Sequence, residues 1–274
     1  MFDLIQVFMD TETLCKTDSH LIGSIKNTIS HQYVVSESDS IVRSNAAHRF
    51  DKPAYVKVSM KRTFEAASAY KNEKVCVLNF ASATHPGGGV RNGARAQEEC
   101  LCRCSTLYFA LSEENTWNSF YSKHYRMLRS KEMSSTYNDD CIYSPGITVF
   151  KTDTQQPVLA QRSQWFDVNV LTCAAPNLSF FYGSADTSAD KLRKIHTRRA
   201  KRILDIALKE ENDVIILGAF GCGAFHNPPE IVADVYREVI SDYLYDFKVI
   251  EFAIVSNPDK PSENYLTFSD MIGK

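Results

Sequence analysis

Glu98 and Glu99 stand side by side in the stretch "NFASATHPGGGVRNGARAQEECLCRC", separated by eight residues from three consecutive glycines, at the point where a helical pattern begins. Ordering three glycines costs more chain entropy than ordering other residues, so such a loop implies positive φ angles or a ligand pressed against bare backbone. Acids in a first helical turn also serve the helix dipole, and a glycine hinge with acidic capping is the plain structural alternative. Adjacent residues on a helix point about 100° apart. The two carboxyls therefore cannot act as an equivalent pair on one atom. They suit a division of labour, with one holding a hydroxyl and the other working as acid and base at a bond being broken.

A second loop, "GAFGCGAFHNPP", places Gly218, Gly221 and Gly223 between an apolar run and a segment opening on proline. Glycines there let backbone N–H groups form a concave nest, and a helix N-terminus behind them adds positive potential, an arrangement that suits a diphosphate. A strand-to-helix connection that simply needs turn residues is the alternative. The loop is not a P-loop, because no Gly-Lys-Ser/Thr follows, and it lacks the dinucleotide-binding order of glycines after a first strand. His85 and His226 flank the two loops and read as loop residues, since no His/Asp set accompanies them to hold a metal.

The elements that must position these loops alternate. Near-continuous Val, Ile, Leu and Phe in residues 74–82, 213–221 and 247–256 predicts buried central strands. Residues 147–151, 166–176 and 54–60 are weaker strand candidates. Helical patterns cover 97–112, 189–211 and 229–244, with two more near 2–16 and 20–30. Strand–helix alternation implies an α/β sandwich with a mixed or mainly parallel sheet, and such a sheet binds ligands at the carboxyl ends of its strands. Both glycine loops follow strong strands, so they should open on one edge and face one ligand.

Composition narrows the class. The 274 residues are 44% hydrophobic and 23% charged, ordinary for a globular chain, and no apolar run is long enough to span a bilayer. The N-terminus carries acids where a secretory leader would be basic, so the chain is expected inside a cell, in the cytoplasm or in a nucleus. Its eight cysteines are then expected as reduced thiols, "CLCRC" included. A net charge of −2 argues against general nucleic-acid binding. The basic run "KLRKIHTRRAKR" reads as an amphipathic helix with Leu192, Ile195, Ile203 and Ile206 inward and its cations in solvent. With no repeat, linker or composition shift, residues 1–274 are expected as one domain, 1–50 forming a helical extension.

Gly-Gly-Gly, the seven-residue spacer "VRNGARA" and Gln-Glu-Glu resemble the signature of poly(ADP-ribose) glycohydrolases, and "LNFASATHPGGG", "AQEECLCRCSTLY" and "LGAFGCGAFHNPPEIVA" are similar to the microbial-type branch. Similarity continues through "TETL", "LTCAAPN" and "FAIVSNPDKPSENYLTF". The resemblance implies a macrodomain-like three-layer α/β/α sandwich with an N-terminal helical extension. It implies Glu99 as catalytic acid/base, with Glu98 and Gln97 positioning the distal ribose and the scissile region. It further implies that Gly87, Gly88 and Gly89 form a catalytic loop, and that Gly221, Cys222, Gly223, Ala224 and Phe225 wrap the diphosphate, Phe225 near the distal ribose. Asn227 would close that loop, and Asn79, Ala81 and Ser82 would lie at the strand end that contacts ribose. The implied ligands are ADP-ribose and poly(ADP-ribose) on modified proteins, with no cofactor and no metal. A non-catalytic ADP-ribose reader and a hydrolase of single ADP-ribose units on protein or nucleic acid stay open as alternatives; the former needs no acid at the reacting carbon. Asn257, Tyr265 and Phe268 are candidates for adenine contact by position only, core packing being the alternative for the aromatics.

Overall fold

The computed structural model of the chain describes residues 3–41, 48–180 and 188–273. Helices α1 (Leu4–Thr17) and α2 (Ser19–His31) form a hairpin in which Asp3 and Asp18 cap the respective N-termini through their side chains. After strand β1 (Tyr33–Val35) the chain continues through β2 (Tyr55–Ser59), α3 (Thr63–Ala67) and β3 (Val75–Phe80). Then come α4 (Gln97–Cys104), α5 (Leu107–Leu111) and the single turn α6 (Glu114–Thr116), which passes through a π-helical turn, Trp117–Tyr121, into α7 (Ser122–Arg129). Strands β4 (Cys141–Val149) and β5 (Phe166–Cys173) precede α8 (Ala189–Lys209), β6 (Val214–Leu217), α9 (Pro229–Ile240), β7 (Val249–Ala253) and α10 (Glu263–Ile272).

The seven strands form one sheet in the order β1-β4-β5-β3-β6-β7-β2. From β5 to β2 every neighbouring pair is parallel, and β4 alone runs against its two neighbours. Alternation along each strand feeds two cores. Cys76, Leu78, Ile215, Leu217, Ile250 and Phe252 face α8 and α9, while Val75, Val77, Val214 and Ile216 face the layer containing α3, α4 and α5. The result is the expected macrodomain-like α/β/α sandwich.

Several boundaries differ from the sequence reading, each for a physical reason. The expected helix over 97–112 is two, because Ser105 turns extended to bridge Val149 and its hydroxyl caps Leu107. Strand β4 starts well before residue 147: "SPG" looks like a turn but is a register shift between Ser144 and Ile147, with Gly146 at φ +66°. The basic helix does not keep all its cations in solvent. Arg199 falls on the apolar stripe with Leu192, Ile195 and Ile203 and is almost completely buried.

Candidate active site

β3 and β6 pair only as far as Val77 and Ile216, and beyond that point the strands splay. Leu78 and Phe80 present their backbone groups on the vacated side. Gln97, the first residue of α4, fills it: its Oε1 accepts from Phe80 N at 2.9 Å and its Nε2 donates to Leu78 O at 2.7 Å and Thr63 Oγ1 at 3.0 Å. The start of α4 is thereby fixed to the sheet edge, and the two acids that follow have a rigid base.

Both carboxyls are buried, Glu98 at 3% and Glu99 at 7% exposure. They bond the loops, not their own helix. Glu98 Oε2 accepts from Ser82 N at 2.7 Å, and its Oε1 from Gly87 N at 3.2 Å and Asn79 Nδ2 at 3.3 Å. Glu99 Oε1 accepts from Gly89 N at 2.9 Å, while its Oε2 is buried without a hydrogen-bond partner. Burial pushes the Glu98 carboxyl up to about 8, against the pull of its three N–H donors, and the neighbouring Glu99 adds to the rise. Gly88 shows why the loop uses glycine. It sits at φ +55°, and a Cβ there would lie on Glu99 Oε1 and 3.2 Å from Glu98 Oε2.

The second loop is held from behind. Gly221 has φ +79°, and a Cβ on it would meet Ala175 Cβ at 2.5 Å and Asn227 Nδ2 at 2.6 Å. Asn227 is buried, and its Nδ2 donates to Pro176 O at 2.7 Å and Gly221 O at 3.0 Å. Gly223 and Ala224 are exposed.

The two loops share one cavity of about 830 Å³, large enough for a dinucleotide-sized ligand. Of the residues singled out from sequence, Ser82, Gly88, Gln97, Glu98, Glu99, Gly221, Gly223, Ala224 and Phe225 line it. Asn79, Ala81, Gly87, Gly89, Cys222 and Asn227 are not among the lining residues. Asn79 supports Glu98 and also donates to Thr172 Oγ1 at 3.2 Å; Ala81 N donates to Cys173 O; Cys222 packs against the core. Asn257, Tyr265 and Phe268 do not line the cavity, and Phe268 is fully buried against Phe252. Ser262 and Asn264, near the N-terminus of α10, line it instead.

Sequence reasoning missed Tyr137, a lining residue at φ +58° whose ring packs 6.3 Å from that of Phe225. No periodic pattern surrounds it. It also missed the rim: Lys61, Arg62, Arg95 and Arg129 border the cavity, whereas its acids Glu98, Glu99 and Asp153 are buried. Among the described residues no group of three or more His, Cys, Asp or Glu side chains could hold a metal ion, and no helix is long and apolar enough to cross a membrane.

The profile of the microbial-type PARG catalytic domain matches residues 10–152. Among solved structures, the chain is similar to the poly(ADP-ribose) glycohydrolase of Thermomonospora curvata at 26% identity and a TM-score of 0.85, covering 98% of both chains. The same enzyme bound to the inhibitor ADP-HPD matches at 25% identity and 0.82, over 97% of this chain and 98% of that one. The Deinococcus radiodurans enzyme in complex with ADP-ribose matches at 30% identity and 0.75, over 90% of this chain and 96% of that one. No curated protein matches the sequence. With its Gly-Gly-Gly loop, buried acid pair and second glycine loop around one cavity, the chain belongs to the family of microbial-type poly(ADP-ribose) glycohydrolase catalytic domains.

Proposed function

We propose that this glycoside hydrolase cleaves the ribose–ribose O-glycosidic bonds of poly(ADP-ribose) from chain ends, releasing ADP-ribose, with Glu99 as the general acid and base. The observation that carries the reading is Glu99 itself: a buried carboxyl at the cavity wall, one oxygen fixed by Gly89 N and the other, Oε2, unpartnered. An unpartnered buried oxygen is costly unless a ligand group completes it. The leaving ribose oxygen of an acetal supplies such a partner.

Cleavage through an oxocarbenium-like state needs a proton on the departing oxygen and then a deprotonated water at the anomeric carbon. In this reading Glu99 Oε2–H donates to the leaving oxygen, and the carboxylate so formed takes a proton from water. Glu98, oriented by three N–H donors, holds the distal ribose and leaves the proton exchange to Glu99. Gly88, lacking a Cβ, lets the sugar approach both carboxyls. The 221–225 loop holds the diphosphate through backbone amides, with Phe225 beside the distal ribose. Gln97 acts through the sheet, and Asn79, Ala81 and Asn227 act by shaping what stands in front of them.

The same reading takes residues 1–274 as one catalytic unit that includes its helical extension. Supporting it, Thr11 Oγ1 of α1 donates to Arg103 O of α4 at 2.6 Å, and Lys151 Nζ reaches Val7 O at 2.9 Å. Proteins carrying poly(ADP-ribose) are the proposed partners, in agreement with the ADP-ribose bound by the D. radiodurans enzyme.

The test compares wild type with Glu99→Gln on automodified polymer, while ADP-ribose binding is measured for both and the products are sized. Turnover lost with binding kept, and ADP-ribose as the wild-type product, is the expected result. Binding without turnover by the wild type would make the protein a reader. Turnover confined to a mono-ADP-ribosylated substrate would replace the polymer assignment.

A further inference from the structure

Helix α8 carries two buried polar side chains one turn apart, His196 and Arg199, that the chemistry above does not use. Both point their polar atoms at the backs of cavity walls. Arg199 Nε donates to Asp139 Oδ1 at 2.9 Å, Nη1 to Ala174 O at 2.8 Å and Nη2 to Thr136 O at 2.6 Å. One guanidinium thus joins the exit of β5 to the turn that presents Tyr137. That turn needs holding, since a bulky residue at φ +58° occupies a sparsely populated backbone region. Asp139, the other end of the clamp, is also engaged by Arg198.

His196 holds the opposite wall. Its Nε2 lies 2.9 Å from Asn227 Oδ1. Asn227 Nδ2 already donates to Pro176 O and Gly221 O, so its oxygen faces the imidazole and Nε2–H is the donor. Burial and the nearby Arg199 cation hold His196 down at about 4, so the ring stays neutral and the tautomer is fixed by this single bond. The two walls also touch directly: Leu178 N donates to Phe225 O at 2.9 Å, and Asn177 N to Ser135 O at 2.8 Å.

Resting on the functional reading above, we propose that His196 and Arg199 are positioning residues that set the cavity's affinity for the diphosphate half of its ligand. His196 does so by orienting Asn227 beneath Gly221, and Arg199 by fixing the turn at Tyr137 against Phe225. Neither reaches the acid pair, so their loss should appear in binding and leave the chemical step in place.

The test uses the full-length chain, ADP-ribose as the binding probe and poly(ADP-ribose) as substrate. His196→Leu should weaken ADP-ribose binding and raise KM about tenfold, with kcat kept within about threefold. His196→Gln, whose amide N–H can still reach Asn227 Oδ1, should restore both to within about threefold of wild type, and His196→Leu should add nothing to Asn227→Ala. Arg199→Lys keeps a charge for Asp139 but loses the fork to two carbonyls, so its KM should rise while kcat holds; this variant carries the test if His196→Leu does not fold. A lower melting temperature with unchanged Kd and KM, a glutamine variant as weak as leucine, or a fall confined to kcat would each overturn the proposal. A wild type that fails to bind ADP-ribose overturns this inference and the functional reading together. Variants matching a wild type that binds and cleaves overturn this inference alone.

Discussion

At the 87–89 loop, carboxyl side chains are fixed by backbone N–H groups; at the 221–227 loop, backbone carbonyls are fixed by a side-chain amide. In the first, the loop exists to aim the side chains Glu98 and Glu99. In the second, Asn227 exists to shape the backbone, leaving Gly223 and Ala224 bare to solvent. Glycine serves each differently. Gly88 leaves room for a carboxylate, whereas Gly221 leaves room for the supports behind the loop, Ala175 and Asn227. Damage to the first loop should therefore fall on turnover, and damage to the second on binding.

The contrast has measurable consequences. Glu99→Gln should lower kcat on polymer about a thousandfold while ADP-ribose affinity, measured by calorimetry, stays within about threefold. Gly88→Ala places a methyl on the Glu99 carboxyl at a positive φ, so kcat should drop about a hundredfold and the domain lose about 1–3 kcal/mol in denaturant melts. If this variant instead binds poorly and turns over normally, the roles of the two loops are reversed. Gly221→Ala, with its Cβ against Ala175 and Asn227, should weaken ADP-ribose binding about tenfold and change kcat less, read as a KM-against-kcat split.

A separate effect, on stability alone, concerns Glu98. Its carboxyl sits at about 8 in the folded chain and at an ordinary 4.5 otherwise. Between those values the folded state holds a proton that the unfolded state has released, so stability falls as pH rises through the window and levels above it. The slope should be roughly 1.4 kcal/mol per pH unit from this group. Glu98→Gln should flatten that part of the stability profile; an unchanged profile would show that the three N–H donors outweigh burial and keep Glu98 ionised.

Much of this arrangement was legible in the residues. Near-continuous Val, Ile, Leu and Phe identified β3, β6 and β7, and the glycine loops after two of them had to share an edge because parallel strands end on one side. What stayed hidden depended on contacts distant in sequence. The stretch "ENTWNSFYSKHYRMLR" forms α6 and α7 through a π turn, yet its Asn, Thr and Ser residues mute the helical signal. "CIYSPGITV" is one bulged strand whose Pro-Gly reads as a break. Arg199 was in view: it lies at the fourth position after Ile195 and before Ile203, so the stripe itself marked it as inward. Gln97 was singled out beside the acids, but no pattern reveals that its amide bonds the strand edge.

That amide has a larger meaning. By standing in for a missing neighbour of β3, Gln97 ties the acid-bearing turn to a central strand of the sheet instead of leaving it on a free loop. On the proposed function, the sugar meets carboxyls already anchored to the sheet, and an inhibitor shaped to them in advance should bind best.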